Sequence, residues 1–395
     1  METRLTRSQF IRVFAAGPLL ALAACSPAAT PAPTSAPAKA EPPKPAATAA
    51  PAAPAAPPAA TTAPAKPEAA KPAEQKPAES KPAGDPIPLR FASIANASQS
   101  YIPVVMIEKG IGKKYGFDVK MVDLSNTAQQ WTSMRGGESD VSSGSFLDLL
   151  RQRQAGLKAK AFRGFYGFGN PIVAPANKTY AKLTDLKGAK VGVPSANLLD
   201  WQILRAAGKK KDGFDIGKEA TVQEAAPQIL MQTMLRGELD ASYQFSDFVL
   251  EGLTEGKLKE VTTVAKVMAE GGLDTKALYL TYNMVDSWRE KHGPDAVARL
   301  IAAMDEAVEV MQKDDSLWAM LAKRSGVENQ KLIEPFMKLQ RERFNVDFGK
   351  SKLEPTQTLL DEMVKTVGQE PVGVSKVDPE AFDFDSVEAA KKARR

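Results

Sequence analysis

Two α/β lobes are the architecture this sequence predicts, and three observations predict it. From residue 89 to about residue 285, short apolar runs alternate with helical patterns, as strands layered against helices require. The centre of the chain repeats the plan of its first part, so the alternation runs through twice. Residues 89–395 number about 307, which is enough for two lobes with real cores.

Taken in order, Leu89–Ile94 reads as the first strand, followed by a polar loop at Ala95–Ser100. A helix is expected over Tyr101–Tyr115, stopped by Gly116. Phe117–Val122 alternates as a second strand. Ala128–Arg135 is helical and ends at Gly136-Gly137. Asp140–Gly144 is a short buried strand, and Phe146–Ala155 a helix. The plan then repeats. Lys190–Val193 is a strand, Leu198–Ala207 and Ala225–Leu235 are helices, Ala241–Tyr243 is a strand, and Leu278–Tyr282 supplies another. Beyond that the chain reads as helical. Val297, Leu300, Ile301, Met304, Val308 and Met311 fall three and four apart, giving one apolar stripe. Leu317–Lys323, Lys331–Phe344 and Thr356–Thr366 continue in the same style. Met and aromatic residues on such stripes are ordinary core.

The N-terminal part differs in kind. Met1–Ala24 has a basic start (Arg4, Arg7, Arg12) and an apolar run from Val13 to Ala24, too short for a helix across a bilayer of roughly 30 Å. It reads as a secretory signal. Leu22-Ala23-Ala24-Cys25 resembles a lipoprotein cleavage box, in which the thiol of Cys25 would be lipidated. Thr6–Ile11 also resembles a degraded twin-arginine export motif, which leaves the export route open. Of the 29 prolines, 18 lie between Pro27 and Pro88, in a stretch that is otherwise mostly Ala, Thr, Lys and Glu. Such a segment has little apolar surface to offset its ordering entropy, so residues 25–88 are expected to be a disordered tether. The net charge of +5 leaves only +2 on residues 89–395, too little for a nucleic-acid partner. One Cys and one His exclude a disulfide framework, a Cys-based zinc site or a Cys–His nucleophile pair. Asp383 and Asp385 lack the glycine and ligand count of a calcium loop, so no metal and no cofactor is expected.

Five segments carry a family resemblance. Ile107–Val119 (IEKGIGKKYGFDV) is similar to the E-K-x-G-F-x-V region of ABC-importer solute-binding proteins of the nitrate, sulfonate and taurine type. Met134–Val141 (MRGGESDV) resembles their L-x-x-G-x-x-D segment, and Met234–Ala241 (MLRGELDA) repeats it. Leu183–Val193 (LTDLKGAKVGV) is close to their DLKGKKVGV. The Ser287–Met311 helix resembles the C-terminal region of the same proteins. The resemblance covers about Leu89–Lys376. It implies a type II periplasmic-binding-protein fold with a hinge and an inter-lobe cleft, and with the C-terminal helices packed on lobe one. Lobe one would comprise residues 89–176 and 276–395, and lobe two residues 177–275, with crossings near Ala174–Tyr180 and Leu273–Ala277. It further implies a monomer outside the cytoplasm that delivers a small solute to a permease and its ATPase subunits. The lipobox-like Cys25 independently adds the expectation of a lipid anchor.

In such lobes ligands collect at the carboxyl ends of strands, against helix N-termini. The loops at these positions nominate Ser98, Ser100, Tyr101, Thr127, Gln129, Ser145, Phe146, Ser195, Asn197, Phe245 and Asp247. Ser, Thr and Asn there are equally ordinary N-caps. Tyr101 and Phe146 fit either stacking on a flat ligand or a place in the lobe core. Arg163, in an aromatic run, is a further candidate for an anionic group. Because the loops are polar but poor in charge, the expectation is a small organic ligand, anionic solutes included, held by hydroxyls and backbone N–H groups. Two rival functions remain. One is a lipoprotein that presents ligand to a sensor kinase. The other is an enzyme of thiamine-pyrimidine synthesis, disfavoured because no Cys follows Cys25.

Overall fold

A computed structural model describes residues 85–344 and 347–393. The expected signal peptide, the lipidated Cys25 and all but the last four residues of the expected tether lie outside the described residues. The first strand starts ahead of the expected Leu89, with Ile87 and Pro88 already paired to Phe117 and Asp118.

Among the described residues ten strands build two five-stranded sheets of matching topology. The first holds β1 (Ile87–Ile94), β2 (Phe117–Leu124), β3 (Val141–Ser145) and β4 (Ala159–Tyr166). The second holds β5 (Pro171–Pro175), β6 (Lys190–Val193), β7 (Thr221–Glu224), β8 (Ala241–Tyr243) and β9 (Leu258–Thr263). Strand β10 (Leu280–Val285) returns to the first sheet. The orders are β2-β1-β3-β10-β4 and β7-β6-β8-β5-β9. In each sheet the first three strands are parallel. The antiparallel insertion, β10 or β5, is the strand on which the chain arrives from the other sheet.

The repeated Gly-x-x-Asp segments explain this symmetry from the residues up. Asp140 accepts the Arg90 backbone N–H at 2.8 Å, while its own N–H donates to the Arg90 carbonyl at 2.9 Å. Asp240 does the same with Lys190, at 2.9 Å both ways. Each pair pins a third strand beside a first one, and each carboxylate adds a cation, Arg90 or Lys178. Gly137 and Gly237 turn the chain just before these aspartates with φ of 72° and 80°, a region that disfavours side-chain-bearing residues. The motif that marked the family resemblance is therefore structural in both halves.

The expected elements form with local differences. The helix predicted over Tyr101–Tyr115 divides into Tyr101–Glu108 and Ile111–Lys114 around Gly110, which has φ of 67°. The long helix spans Asp286–Lys313 and kinks at Gly293, ahead of Pro294. Its stripe is buried at Val297, Leu300, Ile301, Met304 and Met311. Full burial of side chains of this size contributes roughly 1.5–3 kcal/mol each.

Three corrections concern boundaries and layers. Pro171–Pro175 is an interior strand of the second sheet, so the first crossing falls at about residues 167–170 and not at Ala174–Tyr180. The aromatic run around Arg163 is strand β4, and the Arg163 guanidinium is taken up by Asp305 at 2.9 Å. Most C-terminal helices pack on the first lobe, but Leu353–Val367 lies along Leu199–Asp212 of the second. There Lys210 meets Glu362 at 2.9 Å, and Lys209 Nζ donates to the Thr366 carbonyl at 2.7 Å. Among the described residues no helix is long and apolar enough to cross a membrane.

Candidate functional site

The carboxyl ends of both sheets face one cleft. Its inner part is a cavity of about 80 Å³, and an outer cavity of about 660 Å³ shares Ile94, Thr127, Asp148, Leu198 and Phe245 with it. Of the residues nominated from sequence, Ser98, Thr127, Ser145, Phe245 and Asp247 line the inner cavity. Ser195 and Asn197 line the outer one, together with Thr127 and Phe245.

Four nominated residues lie elsewhere. Tyr101 is fully buried among Trp318, Phe336 and Phe344, with ring centroids 5.9–6.5 Å apart, and its hydroxyl bonds Ser325. Phe146 is likewise core, because the first residue of its helix turns inward. Ser100 donates to the Ala97 carbonyl at 2.8 Å and accepts from Arg324 Nε at 2.9 Å. Gln129 closes the preceding turn, its Oε1 accepting from the Ser125 N–H at 2.8 Å.

The floor of the cleft is a buried polar network built on the two chain crossings. Asp200 Oδ2 accepts from Asn170 Nδ2 at 3.0 Å, from the Tyr279 hydroxyl at 2.6 Å, and from the Tyr243 hydroxyl. Asn170 lies on the first crossing and Tyr279 on the second. Phe168 of the first crossing stacks on Tyr279 with centroids 4.2 Å apart. Burial pushes the Asp200 carboxyl up from its ordinary value, and the three donors oppose that shift. Burial also raises the Tyr243 and Tyr279 hydroxyls well above theirs, with the Asp200 charge adding to it, and lifts Tyr166 to about 12. Asp247 is raised by burial too. Its Oδ2 accepts the Ser98 N–H at 3.0 Å across the cleft, and its Oδ1 accepts from Gln340.

Further bonds link the two sides. Arg151 Nη1 donates to the Asn197 carbonyl at 2.6 Å and is held from behind by the carbonyls of Pro371 and Val372. Arg343 reaches the Gly169 carbonyl at 2.7 Å, the Tyr166 hydroxyl at 3.2 Å, and Ser246. Close packing also matters at Gly144, where a Cβ would stand 2.5 Å from the Trp131 ring.

Sequence reasoning missed Asn170, Asp200, Tyr279 and Gln130. Asp200 carried one signal, an acidic residue in the first turn of a helix that follows a strand. The other three become visible only once the crossings and the sheet order are known. Among the described residues no group of three or more His, Cys, Asp or Glu is placed to hold a metal ion.

Comparison with known proteins places this geometry. The family model described as NMT1/THI5 like matches residues 99–316, more than half of the chain. Binding proteins of Brucella abortus (strain 2308) and Brucella suis biovar 1 are each 24% identical over 224 residues. That match covers 56% of this chain and 66% of theirs, so the chain spans just under two thirds of those relatives' length. The alkanesulfonate-binding protein SsuA from Xanthomonas axonopodis pv. citri, solved with MOPS, superposes with a TM-score of 0.63. It has 14% identity, over 76% of this chain and 99% of that one. The nitrate-binding protein NrtA from Synechocystis PCC 6803 gives 0.55 at 14% identity, over 78% and 88%. The desulfurization enzyme DSZB gives 0.53 at 14% identity, over 78% and 100%. The fold thus serves binding proteins and an enzyme alike. The resemblance read from the sequence is borne out: this chain belongs to the NMT1/THI5-like family and has the two-lobed fold of periplasmic binding proteins.

Proposed function

We propose that this chain is an extracytoplasmic solute receptor of an ABC importer, which captures a small organic molecule between its lobes and hands it to a permease with its ATPase subunits. In this reading Cys25 carries a lipid anchor and residues 26–86 are the tether. The observation that carries the proposal is the cleft itself. Both sheets point their carboxyl ends into it, both crossings form its floor, and its buried lining leaves polar atoms of Gln99, Gln130 and Asp200 without partners. Such atoms are costly to bury unpaired, and a bound solute would satisfy them. The Brucella relatives and the SsuA and NrtA structures, all named as binding proteins, support this reading. An enzymatic role has less support. Among the described residues the one His, His292, lines neither cavity.

The test is a thermal-shift screen of the full chain against sulfonates, taurine, nitrate, carboxylates and amines, repeated with Leu198→Trp. Leu198 lines both cavities, and an indole there fills the space they share. A solute at 100 times its Kd adds about 2.7 kcal/mol, which raises Tm by a few degrees. The expected outcome is a shift in the wild type that Leu198→Trp reduces at least tenfold in affinity. Binding that ignores Leu198→Trp, or no binding at all, would contradict the reading.

A further inference from the structure

Helix N-termini around this cleft would be natural anion sites, but three of them already hold the chain's own carboxylates. Asp148 stands in the first turn of Phe146–Gln154, Asp200 in that of Leu199–Asp212, and Asp247 in that of Ser246–Thr254. All three line the inner cavity, whereas no Lys, Arg or His does. Of the nearest cations, Arg151 is held by three backbone carbonyls and pairs with Asp148 at 3.6 Å. Arg343 is engaged with Gly169, Tyr166 and Ser246, so among the described residues Asp200 and Asp247 have no ion pair. An added anion beside these three helix ends would meet occupied dipoles and the like charge of Asp200 and Asp247.

A second, independent observation is the set of unpartnered atoms. Asp200 is 3% exposed, and its Oδ1 has no hydrogen-bond partner although Oδ2 takes three donors. Gln130 is 1% exposed. Its Nε2 donates to the Ala92 carbonyl and the Ser143 hydroxyl, both at 3.2 Å, and this leaves Oε1 as a free acceptor. Gln99 Nε2 is one free donor, its Oε1 being taken by Ser143. Along the inner cavity two buried acceptors stand against one free donor, the free Trp131 Nε1 lying on the outer cavity, and the inner set calls for a ligand that donates N–H groups there. Phe165, Tyr166, Phe245 and Tyr279 add aromatic faces, which attract cations.

Resting on the receptor reading above, we infer that the solute is a small organic cation, an ammonium or amidinium compound, whose N–H groups bond Asp200 Oδ1 and Gln130 Oε1. This departs from the anionic solutes that the polar loops brought into view.

The test is isothermal titration of the full chain with charge-varied isosteres, namely benzylamine, benzyl alcohol, benzoate and benzenesulfonate, and the propyl counterparts of each. The wild type is expected to bind an amine at least tenfold more tightly than its alcohol and its anions. Asp200→Asn, which keeps the acceptor for the three donors, is expected to lose at least tenfold for the amine and less than threefold for the alcohol. If that variant does not fold, the wild-type series decides alone. An anion that binds more tightly than its matched amine overturns the inference. When Leu198→Trp abolishes that anion binding, the receptor reading stands. An absence of amine binding overturns it as well, and silence from every compound here and in the wider screen removes the receptor reading too.

Discussion

Asp200 accepts three hydrogen bonds on one oxygen and none on the other, so a single carboxylate both ties the crossings together and offers an acceptor to the cleft. Burial raises the carboxyls of Asp200 and Asp247 above their ordinary range. The folded state therefore holds these protons more tightly than the unfolded chain does. Their contribution to stability is fully present below the ordinary carboxylate pKa near 4 and is lost as pH rises through the raised values. Denaturant midpoints measured from pH 4 to pH 8 should show this fall, and Asp200→Asn should make it shallower. An unchanged slope would show that Asp200 titrates alike in both states. At this scale the sequence was half legible. Ser98, Thr127, Ser145, Phe245 and Asp247 reach the inner cavity because position after a strand predicts it. Tyr101 and Phe146 do not, since the direction in which a first-turn side chain points depends on the layer above it.

Elements with strong periodicity were readable, and elements shaped by distant partners were not. The stripe from Val297 to Met311 fixes a helix by itself. Strand β4 shows no alternation because the C-terminal segment covers its edge, with Phe382 bridging Ala161 and the Asp383 N–H donating to the Ala161 carbonyl at 2.7 Å. Strand β5 begins and ends in proline, a pattern that argues against an interior strand, yet both rings fall at its ends. The paired aspartates give a direct test of the symmetry between the sheets. Asp140→Ala and Asp240→Ala should each cost about 1–3 kcal/mol, because each leaves a strand N–H without its acceptor. They share no partner, so the double variant should lose the sum within about 0.5 kcal/mol. Denaturant unfolding checks both, and a strongly non-additive result would mean that the two sheets unfold as one coupled network.

For the whole molecule, the account rests on solute entering between the lobes, above a floor built by both crossings. The α/β class and its tandem repetition were legible in the chain, because a local pattern sets each layer. The closing contacts were not, since Asp247 with Ser98 and Arg151 with Asn197 lie 149 and 46 residues apart. One tryptophan reports on this space directly. Of the four, Trp131 alone lines either cavity, and its Nε1 has no partner. Titrating the full chain with the solute that raises Tm most should therefore give a saturable change in tryptophan emission, and Trp131→Phe should abolish it while binding persists by calorimetry. An emission change that survives Trp131→Phe in full would place the solute outside the cleft and contradict the account.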